Sequence, residues 1–224
     1  MPTKRISKTA AEASAEERIL AAAKAEFASN GFYGARTQAI ADTAGVNKAM
    51  LHYYFRSKEN LYSQVIQAAF RKILSRLGQV WLEPGPLKAR IEMVVDTYMD
   101  NYEQNPGLLK IILREVQDGG EHLRRAARDL RAAEFLGQGF NPAQVLARAA
   151  EELGLSPKDT THFLVNLVGM CAISFIAPLI LESILDFRIP DMKTFLKDRR
   201  KAIKAMVLAS VDALTAEPRK RRKP

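Results

Sequence analysis

The chain has 224 residues, a formal net charge of +9 and a hydrophobic fraction of 47%, enough for one large domain or a small domain joined to a larger one. A single cysteine, Cys171, excludes a disulfide framework and fits a reducing, cytoplasmic compartment. With three histidines and no CxxC or HExxH motif, neither a metal site nor a cofactor is expected.

The opening "MPTKRISKTAAEASAEER" has no apolar core, so no signal peptide is expected. The charge is uneven. Residues 1–70 hold nine basic and six acidic side chains, residues 71–217 twenty and nineteen, and the closing "PRKRRKP" five basic ones. More than half of the excess therefore lies at 218–224, a tail expected to be disordered, like the arm at 1–14. Bulk charge is weak support for a nucleic-acid partner, and local pattern must carry that case.

Ala, Leu, Glu, Lys and Arg dominate, and no alternating strand-like run appears, so the chain reads as all-α with about nine or ten helices. The first helix is expected from about Ala15 to Ser29, with Ile19, Ala22, Ala23 and Phe27 inward and Asn30-Gly31 as a left-handed C-cap. A short helix follows, with Thr37 as N-cap and Gly45 as its stop. A third opens at Asn47 and ends near Phe55, and a fourth runs from Ser57 to about Val80 with Glu59 in its first turn. After "EPGP" come helices over about 87–103, 108–117 and 121–136, the last basic and Ala-rich. "GQGFNP" (137–142) is a loop, followed by a helix to about Leu153. Ser156-Pro157-Lys158-Asp159 starts a long apolar helix, and a last one spans about 191–214.

The two short helices around "AGVN" have the layout of a helix-turn-helix, at about 38–57. At 100° per residue, Leu51 and Phe55 point inward with Val46. Lys48, Ala49 and Tyr53 then point outward, and Tyr54 lies on a shoulder. An exposed tyrosine beside positive charge suits DNA, its hydroxyl reaching a phosphate and its ring a sugar or thymine methyl. Lys48 can reach guanine or phosphate, and Ala49 permits close approach to the groove. Thr37 and Gln38, and separately Lys58, sit at helix starts that favour phosphate.

The stretch "RILAAAKAEFASNGFYGARTQAIADTAGVNKAMLHYYFRSKENLYSQVI" (17–66) resembles the DNA-binding domain of TetR-family transcriptional regulators. The resemblance implies an N-terminal three-helix DNA-binding domain at 15–75 and a larger helical ligand-binding and dimerisation domain at 76–217. It implies a homodimer on a palindromic double-stranded DNA operator, most often a repressor, released by a small-molecule effector. The DNA-contacting positions it implies are Thr37, Gln38, Lys48, Ala49, Met50, His52, Tyr53, Tyr54 and Lys58, with Asn47 beside them. His52 stands where the family more often carries tyrosine.

Beyond residue 75 the pattern is more generic. "FLVNLVGMCAISFIAPLIL" (163–181) is uncharged, yet Asn166, Ser174 and Pro178 interrupt it and its flanks lack anchors, so it is read as a buried helix and not a membrane span. Pro178 should kink or end it. Val168, Ala172 and Phe175 there, with Phe195, Ile203, Met206, Val207 and Ser210 of the last helix, are candidate dimer contacts, with packing inside one chain as the alternative. The resemblance implies a four-helix bundle from these two helices and their mates. Trp81, Met93, Tyr98, Met99, Tyr102, Phe135, Phe140, His162, Phe163 and Asn166 are candidate ligand-pocket residues, a mix that also lines ordinary cores. Asp96, Asp100 and Glu103 read as solvated helix faces. No nucleophile–base pair or phosphate loop is visible, so an enzyme or a metabolite-binding helical protein without DNA is the weaker alternative.

Overall fold

The computed structural model describes residues 10–135, 142–185 and 188–216. The described residues form eleven helices and no strand: α1 (Ala10–Gly34), α2 (Thr37–Ala44), α3 (Lys48–Phe55), α4 (Lys58–Leu82), α5 (Leu87–Gln104), α6 (Pro106–Gln117), α7 (Glu121–Phe135), α8 (Pro142–Leu153), α9 (Pro157–Ile173), α10 (Ala177–Leu185) and α11 (Met192–Ala216). Among them, no helix is long and apolar enough to cross a membrane. The arm at 1–9, the tail at 218–224 and most of the 137–142 loop lie outside the described residues.

Local rules account for most boundaries. Asn47 Oδ1 accepts the Met50 N–H at 2.7 Å and starts α3. Ser156 Oγ accepts the Asp159 N–H at 3.1 Å ahead of Pro157 and starts α9. The positive-φ glycine expected to close helix one is in place: Gly31 has φ 68°, ψ −179°, and a short helical segment continues past this kink to Gly34. One expectation is corrected. Thr37 is the first residue inside α2, and the capping position belongs to Arg36, whose side chain makes no cap. The apolar stretch 163–181 breaks near Pro178, as expected, into α9 and α10. The chain turns at 174–176 because Pro178 has no N–H to donate and its ring would clash with the Ser174 carbonyl.

The chain divides into two compact units, Met1–Arg71 with Pro106–Leu136, and Lys72–Asn105 with Gly137–Pro224. In the first, Ile19, Phe27, Ile40, Leu51, Phe55, Leu61 and Tyr62 form one core, to which α6 and α7 add Ile111 and Ala126. α6 lies close on α1: a Cβ at Gly107 would sit 2.9 Å from the Ala28 Cβ, so only glycine fits.

In the second unit, α5 packs against α9 and α11, and α8 against α9. Its core includes Ile91, Val95, Met99, Leu167, Cys171, Ile203 and Val207. It also holds buried charge that periodicity does not reveal. The Arg90 guanidinium is paired with Glu152 through both terminal nitrogens, donates to the Trp81 carbonyl and lies 5.7 Å from the Trp81 ring centre. Asp96, Asp100 and Glu103 are not merely solvated: Arg200 reaches all three, at 3.2, 2.7 and 3.0 Å, and Lys204 reaches Asp96 at 2.7 Å. These ion pairs tie α5 to α11.

Candidate nucleic-acid interface

The reading surface is built from α2, the turn and α3. Gly45 (φ 65°, ψ 39°) ends α2, its N–H reaching the Ala41 and Asp42 carbonyls. Only a residue at ease with positive φ closes α2 this tightly. The chain then turns at Val46, which is half-buried against the core. α3 has eight residues, too short to hold alone, so Leu51 and Phe55 must anchor it. Both are buried, at 4% and 0% exposure.

With that face fixed, the other faces out. Lys48, Ala49, His52 and Tyr53 are exposed, and Met50 and Tyr54 half-buried. Tyr53 is 67% exposed. Its ring meets Tyr54 edge-on at 5.4 Å, and the Arg56 guanidinium lies 5.8 Å from its centre. Asn47 is exposed, but its side-chain oxygen is occupied as the cap of α3.

Gln38 is exposed and donates to Asp42 Oδ1 at 2.8 Å, and Thr37 is half-buried. Lys58 Nζ donates to the Tyr33 carbonyl at 3.3 Å and lies 5.1 Å from the Phe32 ring centre. This holds a cation at the start of α4 beside the end of α1. Periodicity did not single out Tyr33, which is 76% exposed, or Arg56, a non-glycine residue at φ 64° in the turn out of α3. An aromatic in "GFYG" and a basic residue directly after the "YYF" run were the available signals. The assembled surface offers hydroxyls, a ring and a cation on α3, with Arg56 and Lys58 just beyond its end, and these can bind phosphates and reach base edges.

Comparison with known proteins agrees. The family model "Bacterial regulatory proteins, tetR family" matches residues 19–65, a span that contains the whole turn and reading helix. The chain carries a TetR-family DNA-binding domain over those residues. It is a DNA-binding transcriptional regulator with the helix-turn-helix at its N-terminal end. Among its TetR relatives, the HTH-type transcriptional repressor NicS of Pseudomonas putida is 27% identical over 157 residues, 69% of this chain and 73% of NicS. The HTH-type transcriptional regulator RutR of Escherichia coli is 46% identical over 74 residues, about a third of each chain (33% and 30%). Among solved structures, the fatty acid degradation regulator FadR from Bacillus halodurans superposes with a TM-score of 0.59 at 17% identity, over 91% of this chain and 99% of that one. At that identity the likeness speaks for the fold alone.

The second unit of the chain distributes the other candidates unevenly. Trp81, Met99, Tyr102 and Phe163 are buried, and Tyr98 is half-buried. Tyr98 and Tyr102 stack at 6.4 Å, and Phe175 meets Tyr102 at 5.5 Å. Burial pushes both phenols above their ordinary range. His162 and Asn166 point to solvent. Phe140 lies outside the described residues, as does the Phe135 side chain. An open cavity of about 280 Å³ between α4 and α5 is lined by Arg76, Gln79 and Glu83 and by Met93, Asp96 and Asp100. Among the described candidate pocket residues, Met93 alone lines it.

The dimer candidates also split. Ile203 and Val207 are 0% and 1% exposed, covered by their own chain, so they have no surface left for a partner. Val168, Ala172, Phe175 and Phe195 are half-buried. Met206 and Ser210 face outward, along with Val165, Ile173, Ile180 and Ile184, which the sequence reading did not single out.

Proposed function

We propose that this TetR-family regulator binds a palindromic operator as a homodimer, acts as a repressor rather than an enzyme, works in the cytoplasm, and releases DNA when a small molecule binds its second unit. The observation that carries the DNA part is the split of α3: Leu51 and Phe55 are buried, and Lys48, Ala49 and Tyr53 are exposed on the opposite side. Lys48 and Tyr53 are assigned to DNA directly. Met50, His52 and Tyr54 flank them, Thr37, Gln38 and Lys58 contact the backbone, and Asn47 serves as the cap.

Two such helices in a dimer enter successive major grooves only if they stand about 34–36 Å apart. Homodimerisation is supported by the apolar side chains that α9, α10 and α11 leave uncovered, Val165, Ile180, Ile184 and Met206 among them. An effector acts only through its different affinity for the DNA-competent and incompetent states. α4 is the candidate element of transmission, since one continuous helix (Lys58–Leu82) contributes residues to both units.

The test is selection of binding sites from a random duplex library with the whole protein, followed by titration of salt. Specific binding with affinity that falls steeply as salt rises is expected. Tyr53→Ala and Lys48→Ala should abolish operator binding while leaving fold and dimer intact. Failure of the unaltered protein to select any duplex would sink the reading.

A further inference from the structure

The basic, Ala-rich helix α7 has no part in the function proposed above, yet it belongs to the same compact unit as the reading helix. Its inner side is fully engaged. Ala126 is wholly buried in that unit's core and Leu123 packs against it. Asp129 accepts the Gln67 amide at 3.1 Å. The His122 ring lies 4.3 Å from Phe32 and 5.1 Å from Tyr62.

The outer side carries Arg124, Arg125, Arg128 and Arg131, all exposed. At 100° per residue, Arg124, Arg128 and Arg131 fall within about 60° of one another. Among the described residues none of the four arginines is in an ion pair; one exposed carboxylate, Glu121, lies on the same face one turn before Arg124 and Arg125. Four unpaired arginines on one helix face repel each other and gain from an extended anion.

We propose that this arginine face is a second contact with the sugar-phosphate backbone of the duplex that α3 reads, extending the footprint outward from Lys58. The inference rests on the DNA-binding reading above. Three observations favour DNA over another anionic partner. First, the Phe32 ring bridges Lys58 Nζ and the His122 ring, so the start of α7 lies within about 10 Å of the cation that opens α4. Second, Arg124 to Arg131 spans about 10 Å of helix, close to three base-pair steps of about 3.4 Å along the duplex axis. Third, the residues are arginines, whose planar forks match phosphate oxygens in pairs.

The experiment compares the whole protein with its R124A/R128A/R131A variant on two probes. One is the shortest duplex recovered by site selection. The other is the same duplex lengthened by about one helical turn, ~10 base pairs, at each end. On the long duplex, the variant should bind at least tenfold more weakly at moderate salt. Its log affinity against log salt should flatten by about 2 to 3 per protomer. On the short duplex the two proteins should differ little. The lysine variant, R124K/R128K/R131K, should keep most of the slope.

A control, K158A/K193A/K197A, removes equal charge from exposed sites in the second unit and should leave the long-duplex slope unchanged. An equal loss in the control overturns the proposal, and so does an unchanged slope in the arginine variant; that last result would point to an acidic protein partner instead. If alanine disturbs folding, R124Q/R128Q/R131Q gives the same readout. If the unaltered protein binds neither duplex, the DNA reading falls as well, which separates the two failures.

Discussion

The His122 ring nitrogen Nδ1 donates to Glu115 Oε1 at 3.1 Å, and Glu115 is 1% exposed. The second oxygen of that carboxylate accepts the Leu123 N–H at 3.3 Å, and the Tyr62 hydroxyl also bonds to it. One buried carboxylate therefore ties α6, α7 and α4 together inside the first unit. Burial, then the Glu115 charge, pushes the Tyr62 phenol above its ordinary range. Removing the acceptor strands the buried Tyr62 hydroxyl and two half-buried donors. Glu115→Ala should lower stability by about 3 kcal/mol, read as a lower urea midpoint. Glu115→Gln keeps one acceptor oxygen and should lose about half as much.

The cap of α3 can be weakened without touching the reading face. Asn47→Ala leaves the Met50 N–H without its partner and should cost about 1 kcal/mol. Asn47→Asp should restore most of it. Phe55→Ala, which empties a fully buried site, should cost about 3–5 kcal/mol. Tyr53→Ala should stay within about 0.5 kcal/mol. Thermal unfolding of the four variants gives this order; equal losses for Tyr53 and Phe55 would mean that the faces of α3 are assigned the wrong way round.

The proposed dimer rests on exposed apolar side chains, so a charge placed there should break it. Met206→Arg combined with Val165→Arg should convert the protein to monomer at micromolar concentration, measured by sedimentation velocity. Both sites are more than half exposed, at 57% and 63%, so within one chain the substitution is nearly neutral. A double variant that sediments like the unaltered protein would exclude this face.

Alkaline pH should destabilise the protein. Burial pushes the Cys171 thiol from its ordinary value of 9.0 up to about 12. The folded chain therefore keeps a proton that the unfolded chain loses, and stability falls as pH rises from about 9 towards 12. Tyr98 and Tyr102, raised for the same reason, act in the same direction at higher pH. Cys171→Ala should flatten the decline just above pH 9 and leave that of the phenols. A slope identical to that of the unaltered protein would show that Cys171 ionises freely in the fold.

Most helices, the turn at Gly45 and both faces of α3 were readable before any fold, because they follow from rules that act within a few residues. A cap bonds three residues on, a glycine permits one positive φ, and the helical period sets which side chains share a face. The same rules located the kink at Gly31 and the break ahead of Pro178, but gave Thr37 the capping position of α2 that Arg36 holds, a shift of one residue.

What only the tertiary structure decided is pairing at a distance. That α6 and α7 join the compact unit that holds the reading helix, that Arg200 gathers Asp96, Asp100 and Glu103, and that Ile203 is covered while Met206 is open all depend on residues tens of positions away. No local period encodes them. Burial is a property of the neighbours a face acquires, and the chain acquires those neighbours only by folding.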